Sequence, residues 1–157
     1  MAHDAHPGDR ARRRSLLRLA VSATTHCLTG CAIGEVLGLT IGSLLGWSTL
    51  ATIALAVALA FLFGYALTLV PLLRAGLAVR AALGIAFAAD SVSITVMELV
   101  DNGVILLVPG AMDAGPASLL FWGSLVFALG VAWLVAFPVN YALLRRGRGH
   151  ALAHAHH

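Results

Sequence analysis

A chain of 157 residues that is 60% hydrophobic, with a mean hydropathy of +0.92, lies outside the soluble globular class. Its ten basic residues are all arginine, there is no lysine, and the net charge is +3. Because the arginines sit outside the apolar segments or within their first three residues, the charge reads as membrane topology and anionic-lipid contact, and no nucleic-acid partner is expected.

Residues 1–15 are polar, Arg-rich and without apolar periodicity, so a disordered cytoplasmic tail is expected. Four apolar segments follow, at about 16–46, 48–73, 78–108 and 117–144, each exceeding the ~20 residues that cross the hydrocarbon. The predicted fold is all-α: an integral membrane four-helix bundle over 16–144, followed by a basic, His-rich cytoplasmic tail over 145–157. Arg10, Arg12, Arg13, Arg14 and Arg18 lie before or at the start of the first segment, Arg74 and Arg80 lie at the junction of the second and third, and Arg145, Arg146 and Arg148 follow the fourth. With four spans all of these fall on one side, and the positive-inside rule puts that side and both termini in the cytoplasm of a bacterial inner-membrane protein. A lipoprotein signal ending at Leu28-Thr29-Gly30-Cys31 is rejected, because Arg18, Thr24, Thr25 and His26 interrupt its apolar region and an apolar span continues beyond Cys31.

The first span holds most of the chemistry, in HCLTGCAIGEVLGLTIGSLLG, residues 26–46. Cys27, Cys31 and Glu35 recur every fourth residue and share a helix face. Gly30, Gly34, Gly38, Gly42 and Gly46 repeat at the same spacing, a stripe that admits a neighbouring helix backbone. The second span carries no charge before Arg74 and is apolar all round, so it reads as a lipid-facing wall ending near Pro71. In the third, Asp90, Ser91, Thr95, Glu98, Asp101 and Asn102 fall within an arc of roughly 140° at ~100° per residue. This stripe is expected to pack on the Gly34/Gly38 face of the first span, with Gly64 on the second span a tolerant site. The loop VPGAMDAGP is a tight turn carrying Met112 and Asp113 to the outer surface. In the fourth span Trp122 suits an interface anchor, and the lone Asn140 suits a cap or an interfacial hydrogen bond.

Counting ~1.5 Å per residue from Arg18 and Arg80 sorts the polar groups by depth. An inner tier holds His26, Cys27, Cys31 and Asp90; an outer tier holds Glu35, Glu98, Asp101 and Asn102, with Met97 between them. Soft Cys, His and Met donors suit Cu(I), whereas carboxylates suit harder cations or protons. His26 points ~100° away from Cys27, so ligation by all three would need a swing of the ring. The terminal histidines His3, His6, His150, His154, His156 and His157 read as exposed His-rich tails.

HCLTGCAIGEVLG, DSVSITVMELVDNGV followed by PGAMDAG, and FWGSLVFALGVAWLVAFPVNYALLRRGRGHA resemble the small bacterial membrane proteins grouped as domain of unknown function 4396, over about Thr25 to His150. The resemblance implies the four-helix architecture and sets His26, Cys27, Cys31, Glu35, Asp90, Glu98, Asp101 and Asn140 in family motif positions. It brings no established activity beyond an association with copper handling.

The expected function is binding or conduction of a transition-metal cation, copper favoured, at a buried site between the first and third spans. The ligands would be His26, Cys27, Cys31, Glu35, Asp90, Met97, Glu98 and Asp101, with the ion arriving past the outer carboxylates. So narrow a bundle would conduct as a homo-oligomer or with a membrane partner. The alternatives are an assembly subunit whose polar faces only pack helices, and a proton-coupled transporter using the carboxylates alone. An enzyme is not expected: there is no Ser-His-Asp arrangement, phosphate loop or second in-membrane His for haem.

Overall fold

The computed structural model describes the backbone of residues 7–154 and the side chains of 10–146, which leaves His3, His6, His156 and His157, and the side chains of His150 and His154, outside the described residues. It has four helices: α1 (Pro7–Leu45), α2 (Thr49–Arg74), α3 (Val79–Leu107) and α4 (Leu119–His154). All are long and apolar enough to cross a membrane. The Arg-rich stretch expected to lack structure is helical from Pro7 onward, where proline suits a first helical position because its missing N–H has no partner to lose.

The ends of α1 and α2 follow from local chemistry. Gly46, with φ at 62°, stops α1 while the Trp47 N–H returns to the Gly42 carbonyl at 2.9 Å. Gly46 is therefore the helix cap and leaves the packing stripe to the four glycines before it. Ser48 caps α2 by accepting the Ala51 N–H at 3.4 Å. Pro71 lies inside α2, which continues to Arg74; that last turn lies next to the arginine-bearing end of the bundle.

The helices run round the bundle in chain order. α1 packs on α2 and α4, α3 packs on α2 and α4, and α1 and α3 touch across the middle. The tightest seam is α1 against α2, which corrects two expectations. The glycine stripe docks on α2 and not on α3, and α2 is no mere lipid-facing wall. Gly30 faces Gly64, Gly34 faces Ala60, Gly38 faces Ala56 and Gly42 faces Thr52, so each step of four up α1 meets a step of four down its antiparallel neighbour. A Cβ on Gly30 would sit 2.6 Å from the Gly64 Cα, and on Gly34 or Gly38 it would collide with α2 backbone. Backbones this close gain packing contact on both sides, which drives helix association where lipid removes the hydrophobic term. Gly64 is itself enclosed, its missing Cβ lying 2.6 Å from the Ile94 Cδ1 of α3.

With α2 taking the glycines, the adjacent row of α1 turns inward. Ala20, Thr24, Cys27, Cys31, Glu35 and Leu39 are all buried. α4 offers them a second small-residue stripe, Ala128, Ala132 and Ala136, also buried. Large apolar side chains cover the outside, for example Leu62, Leu99 and Val126, as lipid-facing helices require.

Candidate functional site

The core face of α3 runs through Ser93, Met97, Glu98, Asp101 and Asn102. It is narrower than the predicted polar stripe: Thr95 is exposed, with its hydroxyl bonded back to the Ser91 carbonyl at 2.7 Å. Ser91 meets the Tyr65 hydroxyl of α2 at 2.8 Å. What enters the core is the acid pair and its amide.

The outer tier assembles around Asn102. Its amide Nδ2 donates to Glu35 Oε1 of α1 at 3.0 Å, to the Glu98 carbonyl at 3.0 Å and to Glu98 Oε2 at 3.3 Å. The carboxyls of Glu98 and Asp101 are neighbours of the Glu35 carboxyl. Glu35 Oε2, Glu98 Oε1 and both Asp101 oxygens are buried without a hydrogen-bond donor. Ionised carboxylates inside a hydrocarbon layer would be disfavoured by on the order of 2.5–3.5 kcal/mol each, and every arginine with a described side chain is exposed. Such oxygens must be protonated, hydrated or balanced by a cation.

The two tiers are joined. Cys31 lies beside Glu98, Cys27 beside Cys31, and Cys27 beside Ser93. Met97 belongs to the same cluster as the thiols, with Ile94, Ala132 and Ala136 around them. The result is a column from Cys27 through Cys31 and Glu98 to Glu35, Asp101 and Asn102. Both cysteines are free thiols.

His26 is not in the column. Its Nε2 shares a hydrogen bond of 3.2 Å with the Thr68 hydroxyl of α2, and Thr68 in turn lies within reach of the Asp90 carboxyl. The ~100° offset from Cys27 thus sends the ring towards α2, a helix read from sequence as featureless. Among the described residues no group of three or more His, Cys, Asp and Glu side chains converges closely enough to hold a metal ion.

Asn140 is neither a cap nor interfacial. It is buried, and its Nδ2 donates to Thr24 Oγ1 and Ser93 Oγ, each at 2.9 Å, tying α4 to α1 and α3. Ser93 and Thr68 went unflagged in the sequence, and Thr24 was read only as a polar interruption of the span; lone hydroxyls in apolar spans were the available signal. Trp122 is 43% exposed and donates its indole N–H to the Pro116 carbonyl at 2.9 Å, which ties the start of α4 to the loop before it.

The column meets different surroundings at its two ends. Towards the arginines, a cavity of about 490 Å³ reaches Cys27, Asp90, Ser93 and Asn140. One turn beyond Glu35 and Asp101 in the other direction lie Leu39 and Ile105, which join Phe121 and Leu125 in an apolar cluster. A separate cavity of about 210 Å³ beside Ser43 and Asp113 lies beyond that cluster.

No curated protein and no solved structure matches the chain. The model of one protein family, described as a domain of unknown function (DUF4396), matches residues 18–149, nearly the whole helical bundle. The chain therefore belongs to the DUF4396 family.

Proposed function

We propose that this is an integral protein of the bacterial cytoplasmic membrane, with both termini inside, that binds or conducts a transition-metal cation, Cu(I) in first place. The observation that carries the reading is the column itself: carboxyl oxygens buried without donors, beside two free thiols and a thioether, with no arginine buried among the described residues. Cys27, Cys31 and Met97 supply the soft donors that Cu(I) prefers, and Glu98 joins them to the charge-compensating acids. Ligation would draw the thiols of Cys27 and Cys31 together with Met97 by rotamer changes. His26, held by Thr68, takes no part as a first ligand. Conduction through so narrow a bundle calls for a homo-oligomer or a membrane partner.

The test is the metal content of detergent-purified protein grown with added copper and zinc, beside a Cys27→Ala, Cys31→Ala double variant. Wild type should carry copper and the variant should lose it. Metal-free wild type that also fails to bind on titration would overturn the reading.

A second reading is favoured by the same donorless oxygens and by the absence of a converged three-ligand group among the described residues. The acids would then carry protons, as part of a coupled transporter. In that case Glu98→Gln and Asp101→Asn abolish transport while the cysteines are dispensable.

Orientation rests on the one-sided arginines and is checked by reporter fusions. Alkaline phosphatase joined after Arg148 should be inactive, and joined at Ala114 it should be active. The reverse pattern would invert the topology.

A further inference from the structure

The cavity at the arginine-bearing end lies between α1, α3 and α4 and is lined by two kinds of residue. Ile85, Ala88, Leu143 and Leu144 form its walls, while Cys27, Asp90, Ser93 and Asn140 bring polar atoms to it. Ile85 is five residues from Arg80 and Leu144 is next to Arg145, so that end of the cavity lies close to the arginines. From Ile85 to Ser93 the descent is ~12 Å at ~1.5 Å per residue. At the bottom Cys27 is only 2% exposed, and Asp90 keeps a buried Oδ2 without a donor. Mostly apolar walls with a few convergent polar groups are the usual build of a small-ligand site.

The opposite end of the column is closed. Leu39, Ile105, Phe121 and Leu125 are each less than a tenth exposed and pack together directly beyond Glu35 and Asp101. An ion approaching from that side would have to part this cluster before meeting a carboxyl.

We propose that this cavity is the entrance of the site for small hydrophilic cations from the arginine-bearing side, with Asp90 and Cys27 met first and the carboxyls of Glu35, Glu98 and Asp101 last. The inference rests on the cation-site reading above and reverses the route past the outer acids expected from the sequence. The apolar cluster around Phe121 keeps the far side shut in this conformation.

The two native cysteines provide the test. In a Cys31→Ser variant only Cys27 remains. Its thiol, attacking a methanethiosulfonate reagent, forms a mixed disulfide and releases methanesulfinate. The membrane-impermeant trimethylammonium-ethyl reagent is applied to sealed vesicles of either orientation. Trypsin cleavage among the tail arginines identifies which face is outward. Labelling from the arginine-bearing face should be at least tenfold faster than from the other, and Ala89→Trp, which narrows the cavity, should suppress it by a similar factor. Equal or faster labelling from the opposite face would overturn the proposal. So would labelling by the small apolar methyl reagent alone, which would mean that lipid fills the cavity, or labelling unaffected by Ala89→Trp. One-sided labelling in a protein that binds no metal would overturn the cation reading and leave the entrance standing. Copper-loaded protein labelled only from the far side would do the reverse.

Discussion

Placing a single methyl group on Gly34 should open the bundle, whereas the same change at Gly84 should tighten it. At Gly34 the added Cβ runs into the backbone of Ala60, which cannot rotate out of the way, so α1 and α2 must separate. Overpacking of this kind costs ~1–3 kcal/mol, and the displaced α1 would carry Cys31 and Glu35 away from Glu98 and Asn102. At Gly84 nothing lies within 4 Å of the new methyl, and alanine is the better helix former by ~1 kcal/mol. Gly64→Ala should fall between them, since it meets the far end of the Ile94 side chain. Unfolding in mixed micelles would rank the three, with Gly34→Ala lowest and Gly84→Ala above wild type. Equal stability for Gly34→Ala and wild type would mean that the glycine stripe does not hold α2.

That ranking shows what was legible in the sequence and what was not. The four spans could be read, since length, apolarity and arginine placement report directly on a bilayer-spanning helix. The stripe on α1 was also plain, but spacing marks a close approach without naming the partner. The matching stripe, Thr52, Ala56, Ala60 and Gly64, was hidden because alanine among leucines scores simply as apolar, and α2 looked uniform. Glu35, Glu98, Asp101 and Asn102 could be grouped by depth along α1 and α3, and all four meet. His26 was grouped with the thiols and is not among them, because its partner Thr68 lies 42 residues away on that same uniform helix. Asn140 misled for a related reason: a lone amide near a helix end suggests a cap, and only packing brings Thr24 and Ser93 to it.

Glu98 sits where the thiols meet the acids, so two substitutions there should separate its roles as ligand and as packing partner. Glutamine keeps an oxygen for the Asn102 amide and adds an N–H that can satisfy a neighbouring carboxyl. Glu98→Gln should therefore fold as wild type. It should nonetheless bind the cation at least tenfold more weakly, a loss of ~1.4 kcal/mol, because one anionic donor next to Cys31 is gone. Leucine removes only the longest of the Asn102 amide's three contacts, since the amide's two N–H groups keep Glu35 Oε1 and the residue-98 carbonyl. Glu98→Leu should therefore cost less than the ~1–3 kcal/mol of an orphaned buried polar group, yet lose binding as fully as the glutamine variant or more. Binding also requires the donors to give up protons, so acidification should weaken it and metal uptake should release protons into unbuffered solution. Copper titration and micelle unfolding on the same preparations read the two effects independently. A Glu98→Gln protein that binds copper like wild type would remove the carboxyl from the site and leave the thiols and Met97 as the only donors.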